Sequence, residues 1–483
     1  MLMYTKGNWN GSKDGKTTEV FNPATKEVIG TIPQASLQDI EEVLEAAQKA
    51  KKGWARTPVW KRTEILQRFA DLVEQRRDEL ATLLSKEIGK PIEQAGWEID
   101  TAARLFRSFS EHAKSLYGLN IPLDHQAGIE NDVYLTRKEP LGVVVGIIPF
   151  NFPVDLFSHK VAPALATGNV MIVKPANTAP LTILSLTELL YEAGLPENVL
   201  QIVTGSGRLI GDVLAQSPKI DAISLTGSTE TGIKVATGAA KNLNRVMLEL
   251  GGNDPFIVFE DADIDLAVDD AIFGRTLMNG QVCCSNKRML IHHSKKEEFT
   301  SLLINRLREL KYGNPLDRSI NIGPLIDEYA LQTVDQQVRK TVEQGAKVAL
   351  GGEIVDNTWY LPTVLTDVKP EYDIARDMEI FGPVFPIITF HSEEEAVEIA
   401  NSSIYGLNAA VFTRDVNRAI NMSYQIESGI VSVNGPGVYR PDVAFFGGYK
   451  MSGHGGREGL IGALEELTQV KSIALRNCLN IYN

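Results

Sequence analysis

Cysteine is scarce in this chain: three occur in 483 residues, and two of them, Cys283 and Cys284, are adjacent. Three thiols cannot build a disulfide framework, and no CxxC pair or Cys/His cluster offers metal-ligand spacing. The expectation is a metal-free protein of a reducing cytoplasm. Long apolar runs are also missing. None approaches the ~20 residues that a membrane span needs, and residues 1–12 hold Gly, Asn and Lys rather than the apolar stretch of a secretory signal or anchor. Positive charge is in deficit, with 48 Lys and Arg against 61 Asp and Glu and a formal net charge of −13. Phosphate backbones and anionic lipid repel such a chain, so neither nucleic acid nor a membrane is expected as a partner.

What is present is a globular composition, 43% hydrophobic and 23% charged, long enough for two or three domains. Residues 141–148, 169–174, 200–203, 222–225 and 246–250 are short β-branched runs that predict strands. Between them, 158–166, 181–192, 208–216 and 230–240 carry helical periodicity. Right-handed crossovers fold such a series into a parallel sheet covered on both faces, with a nucleotide site expected at the carboxyl ends of the strands. Upstream, 37–51, 60–86 and 91–116 predict helices packed on that sheet. A second βα series starts at 255–259, takes in the helix-like 263–276 and continues through 288–291, which makes two α/β domains joined near Gly251-Gly252. The stretches 121–138 and 469–475 are β-rich and fit neither series.

Chemistry concentrates at a few points. Asn279-Gly280-Gln281-Val282-Cys283-Cys284, with Arg288 beyond, follows a predicted helix. A cysteine taken alone is usually a small buried hydrophobe; it becomes a nucleophile where a helix terminus, a cation or a base favours the thiolate. Leu248-Glu249-Leu250-Gly251-Gly252 places a carboxylate at an apolar strand end. Burial would raise its pKa toward a general base's range, although a capping or ion-paired surface Glu reads equally well. Leu225-Thr226-Gly227-Ser228-Thr229-Glu230-Thr231-Gly232 is a strand ending in a small-residue turn that opens a helix, and Gly205-Ser206-Gly207 is a second glycine turn. Both suit phosphate oxygens at free helix N–H groups, and strings of this kind are also common strand–helix turns.

Taken together, these blocks resemble the aldehyde dehydrogenase superfamily over nearly the whole chain. Pro149-Phe150-Asn151-Phe152-Pro153, then Lys174-Pro175, the phosphate turn, the Glu249 block, the Cys283 block and Glu379-Ile380-Phe381-Gly382-Pro383-Val384 stand in the family's order. Phe446-Gly447-Gly448, Ser452-Gly453 and Arg457-Glu458-Gly459 follow. The resemblance implies an NAD(P)-dependent oxidation of an aldehyde to its carboxylate through a thiohemiacetal and thioester on Cys283. Asn151 and the Cys283 main-chain N–H would hold the oxyanion, and Glu249 would activate the hydrolytic water. It implies NAD or NADP at Lys174, Asn177, Gly207, Gly227, Ser228, Gly232, Glu379 and Phe381. It also implies a Rossmann-like cofactor domain (1–121 and 142–250), an α/β catalytic domain (251–465), and a β oligomerisation arm (122–141 and 466–483) that completes a neighbour's sheet in a homodimer or homotetramer.

Four positions depart from the family's pattern. Phe150 replaces a frequent Trp, and Met278 stands where an Asn is usual, with Asn279 one place later. The Gly455-Gly456 pair adds a residue before Arg457. Asn177 replaces the Glu with which NAD-preferring members accept from the adenosine ribose; a neutral amide does not repel a 2′-phosphate, so NADP is expected to serve at least comparably, with Lys174 and Arg208 as its partners. By the same likeness, Phe152, Asp155, Leu156, His159 and Arg440 fall along the aldehyde tunnel, where members oxidising fatty aldehydes place bulky apolar groups. Each alone also reads as a solvated residue; jointly they suggest a short polar aldehyde bearing hydroxyl, carboxylate or phosphate. Two other readings stand beside this one: a CoA-acylating dehydrogenase, which usually lacks the water-activating Glu, and a crystallin-like protein that kept the fold without turnover.

Overall fold

The computed structural model describes residues 1–479; the last four residues of the expected arm lie outside the described residues. The expected parallel sheet forms from five strands in the order Arg245–Glu249, Ala222–Thr226, Val143–Ile147, Val170–Lys174 and Leu200–Ile202, with the short strand Gly453–His454 added antiparallel at one edge. Its central strands are buried along their length, as the near-continuous apolar runs of a two-sided sheet require. Register decides what this sheet can do. Ile147 lies opposite both Lys174 and Leu225, and Thr226 lies opposite Glu249. Lys174, Thr226 and Glu249 therefore all end their strands at one carboxyl edge.

The second βα series forms a seven-stranded sheet in the order Lys347–Leu350, Thr363–Val368, Val384–Phe390, Asn286–His292, Asp254–Val258, Asn408–Phe412 and Ile430–Val433, all parallel except the first pair. The two β-rich stretches that fitted neither series pair with each other. Thr468–Leu475 runs antiparallel to Val133–Pro140 over eight residues, with Asn120–Ile121 on the far side. No helix among the described residues is long and apolar enough to cross a membrane.

Three elements differ from expectation. The stretch 60–86 is two helices, Val59–Gln75 and Arg77–Ile88, broken where Arg76 takes φ −107° and ψ 20°; no Gly or Pro marks the break. The helix expected from 158 starts at Pro153, whose fixed φ suits the first helical position. An N-terminal hairpin, Thr17–Phe21 with Val28–Pro33, was not anticipated.

The helix Pro153–Thr167 is anchored at its start by a neighbour. Glu98, on the helix Ile92–Ala113, accepts from the N–H groups of Val154 and Asp155 at 2.9 and 3.1 Å, satisfying donors that a helix start leaves orphaned. Glu98 is itself buried in an ion pair with Lys90, so this helix has a fixed origin.

Candidate active site

Cys283 sits between a strained turn and a strand. After the helix Ile264–Thr276, Met278, Asn279 and Gly280 take positive φ in succession, at 47°, 52° and 77°. A run of left-handed residues persists only when its surroundings over-determine it, and they do. Gln94 accepts from the Met278 N–H at 2.9 Å, and the Gln281 side chain donates back to the Met278 carbonyl at 3.0 Å. The fully buried Arg275 guanidinium donates to the Gly280 carbonyl at 3.2 Å and the Ser285 hydroxyl at 2.9 Å. It also holds the Ile380 and Val384 carbonyls at 2.6 and 2.9 Å, joining the Cys283 loop to the segment with Glu379 and Phe381. Lys287 donates to the Cys283 carbonyl and lies 3.4 Å from Glu379. Arg288 fills a separate structural role, donating to the carbonyls of Asn253, Ala375, Ile399 and Ala400.

Cys283 opens on a cavity of about 180 Å³ at the carboxyl edge of the six-stranded sheet. Asn151 and Glu249 line the same cavity. The Asn151 amide donates one hydrogen to the Gln281 carbonyl at 2.7 Å, leaving its second free, and the Cys283 N–H has no acceptor among the described residues. Glu249 is 5% exposed, and one of its oxygens is buried without a hydrogen-bond partner. Burial, then the neighbouring Glu458, pushes its carboxyl well above the usual range, against the opposing pull of Lys160 and Arg440. For Cys283, the adjoining Cys284 thiol and then burial push the pKa up.

Lys160 and Glu458 are site residues that the sequence reading missed. Their buried ion pair, at 2.9 Å, stands behind Glu249, and Arg440 donates to the other Glu458 oxygen at 2.8 Å. Burial alone would raise the Glu458 pKa, but the Lys160 ammonium and the Arg440 guanidinium outweigh it and hold the carboxyl below the ordinary range. A lysine inside the apolar run Phe157 to Ala166 was the available signal. Phe152, Asp155, His159 and Arg440 all line the cavity. The Lys90 ammonium sits 3.5 Å over the Phe152 ring, and the Arg440 guanidinium 3.9 Å over that of Phe446.

The profile of the aldehyde dehydrogenase family matches residues 9–473. The chain belongs to the aldehyde dehydrogenase family. It is 38% identical to the glutarate-semialdehyde dehydrogenase of Pseudomonas putida, over 98% of this chain and 97% of that protein. Among solved structures, an NADP-dependent enzyme of E. coli superposes with a TM-score of 0.95 at 35% identity, covering 98% of each chain. A betaine aldehyde dehydrogenase from Staphylococcus aureus, in complex with NAD+, gives 0.95 at 34% identity, covering 100% of this chain and 98% of that one. The expected fold and the oxidation of an aldehyde to its acid with NAD or NADP are thereby borne out.

As an aldehyde dehydrogenase, the chain needs a cofactor cleft, and the polar atoms at the end of Val170–Lys174 fit one. The Lys174 ammonium is buried, with no acid partner among the described residues, so burial lowers its pKa to about 8. A Cβ on Gly207, at the start of the helix Gly207–Ala215, would lie 3.6 Å from it. Asn177 keeps a buried side-chain oxygen with no partner. A ribose hydroxyl would satisfy both, donating to the Asn177 oxygen and accepting from Lys174, whereas a phosphate oxygen would satisfy only the ammonium. Ser228 caps the helix Thr229–Ala240, whose first turn follows Gly227. Gly232 packs closely instead: a Cβ there would lie 2.6 Å from Leu250, so it sets the approach of helix to strand. Glu379 accepts from the Gly252 N–H at 3.1 Å, and Phe381 meets Phe150 edge-on at 6.4 Å.

The raised Cys283 pKa has a direct readout. A thiol whose pKa is raised stays protonated to higher pH, so its alkylation rate must climb with pH through and beyond the ordinary thiol value of ~8.5. Iodoacetamide labelling of the cofactor-free enzyme, quantified on the Cys283 peptide, is expected to keep rising past that point. A plateau reached below about pH 7 contradicts the assigned environment.

Proposed function

We propose that the enzyme oxidises a short polar aldehyde with Cys283 as nucleophile and Glu249 as the base for hydrolysis. The Cys283 thiolate adds to the carbonyl carbon, and the oxyanion so formed takes the free Asn151 amide hydrogen and the Cys283 N–H. When bound, NAD(P)+ supplies the acceptor for the hydride, two electrons that leave the aldehyde carbon as the thiohemiacetal becomes a thioester. Glu249 then removes a proton from water, hydroxide adds to the thioester, and the carboxylate departs as the Cys283 thiolate is restored. The observation that carries this reading is the convergence of Cys283, Glu249 and Asn151 on one cavity from separate parts of the chain. Lys174, Asn177, Gly207, Gly227 and Ser228 would hold the adenosine and phosphate end of the cofactor, with Gly232 fixing the helix behind them. Glu379 and Phe381 would hold the nicotinamide end, which Arg275 ties to the nucleophile loop.

The intact Glu249 favours hydrolysis over transfer to CoA. The antiparallel pair Thr468–Leu475 and Val133–Pro140 leaves Val470, Ile473 and Leu475 exposed on an edge strand, which supports its use as the arm of a homodimer or homotetramer. The domain limits read from the sequence and a cytoplasmic setting complete this reading.

Glu249→Gln keeps the shape and removes the base. Its expected outcome is a single-turnover burst of NAD(P)H followed by a steady state depressed by about 10²-fold or more, the range of general-base catalysis. An unchanged steady-state rate removes Glu249 from the mechanism, and a steady state restored by CoA favours the acylating alternative.

For the cofactor, Lys174 and Asn177 offer a 2′-phosphate a cation and no like charge, and Arg208 is exposed in the adjoining turn. NADP is expected to match NAD in kcat/KM, and Asn177→Glu to lower the NADP value by about ten-fold, the worth of one charge contact. A hundred-fold NAD preference in the parent, or an indifferent variant, defeats this assignment.

A further inference from the structure

We infer that the cavity selects an uncharged, hydroxylated aldehyde over one whose far end carries a carboxylate. The inference rests on the dehydrogenase reading above and names the substrate class of the same site. It starts from the state of the charged groups around the cavity. Arg104, at the cavity wall, is held in a two-pronged pair with Asp442 at 2.6 and 3.2 Å. Arg440 is committed to Glu458 at 2.8 Å. Lys90 is buried against Glu98, and Lys160 against Glu458. These four cations therefore already have acid partners, and a substrate carboxylate would meet no uncompensated positive charge among them.

Among the acids lining the cavity, Glu98 and Asp442 are ion-paired, whereas Asp155, like Glu249, accepts no hydrogen bond among the described residues. The Asp155 carboxylate lies 3.7 Å from His159 Nε2 and 3.9 Å from Arg440 Nη1, both beyond hydrogen-bonding distance. One turn further along the same helix, His159 is 4% exposed, and its Nδ1 is buried without a partner. Burial, then the Arg440 charge, lowers the His159 pKa to about 4. The ring is thus neutral at ordinary pH and can donate or accept, but not neutralise an anion. The cavity offers an unsatisfied anionic acceptor beside an unsatisfied neutral ring, flanked by a guanidinium.

A hydroxyl group answers that arrangement. It donates to Asp155 and accepts from His159 or Arg440 with one oxygen, whereas a carboxylate has no proton to give and would face the Asp155 charge. A cationic end would pair with Asp155 but meet Arg440 beside it. An aliphatic end leaves the buried polar groups unpaired, the situation in which a hydrogen-bonding site discriminates most strongly. This preference sets the chain apart from the glutarate-semialdehyde dehydrogenase to which it is 38% identical, whose named substrate is an acid semialdehyde.

The test is kcat/KM of the parent enzyme, at saturating NAD(P)+, for glyceraldehyde, 3-hydroxybutanal, butanal, 4-oxobutanoate and betaine aldehyde. At least one hydroxylated aldehyde is expected to exceed the anionic and cationic substrates by about ten-fold or more. In Asp155→Leu, the ratio of hydroxylated substrate to butanal is expected to fall by about ten-fold, chiefly through KM. Should that variant fail to fold, the isosteric Asp155→Asn removes only the charge and is expected to raise 4-oxobutanoate relative to the hydroxylated substrate. A parent that prefers 4-oxobutanoate or betaine aldehyde, or substrate ratios unmoved in the Asp155 variants, overturns the inference while leaving the dehydrogenase reading intact. Absence of NAD(P)H with every aldehyde sinks that reading as well.

Discussion

A carboxyl oxygen buried without a hydrogen-bond partner is costly, on the order of 1–3 kcal/mol even when the group is neutral, and the rest of the site depends on the fold holding Glu249 in that state. The six-stranded parallel sheet brings it to the cavity, because the pairing of Thr226 with Glu249 ends both strands at the same edge. The price is lowered by the Lys160 ammonium and Arg440 guanidinium, which favour the charged form of Glu249, while the single Glu458 carboxylate pairs with both and offsets part of their charge. Burial thus raises the Glu249 pKa, which makes its ionised form a stronger base toward water than an ordinary carboxylate. A solvated Glu at the same strand end would ionise at ordinary pH and be a weaker base by its lower pKa.

The nucleophile is constrained just as tightly, by main-chain contacts rather than by charge. Three successive left-handed residues do not hold their shape unaided, and Gln94, Gln281 and Arg275 clamp the turn before Cys283. Arg275 matters beyond the turn. The same guanidinium grips the carbonyls of Ile380 and Val384, so the Cys283 loop and the Glu379–Phe381 segment are tied together. Placement of Cys283 relative to Glu379 and Phe381 is thus a property of a buried cation with four acceptors.

Much of this was legible in the sequence, for reasons that also explain what was not. Parallel strands buried on both faces are continuous apolar runs, so all five long strands of the first sheet could be read directly. Asn151, Glu249 and Cys283 sit in short blocks of small or special residues whose family resemblance is strong. The network behind Glu249 was hidden because Lys160 and Glu458 are 298 residues apart and meet only through folding. The break at Arg76 was hidden because no Gly, Pro or capping side chain announces it. Met278 read only as a departure from the usual Asn; its left-handed turn is made by Gln94, a residue 184 positions away.

The central claim is that Cys283 and Glu249 divide one reaction, the first forming an acyl group and the second releasing it. Peptide mass mapping of Glu249→Gln, quenched after mixing with an aldehyde and NAD(P)+, tests it most directly. The account predicts an added mass equal to the substrate's acyl group on the peptide containing Cys283, located to Cys283 by fragmentation and absent when cofactor is omitted. An acyl group found on Cys284, or none at all during a burst of NAD(P)H, would contradict it.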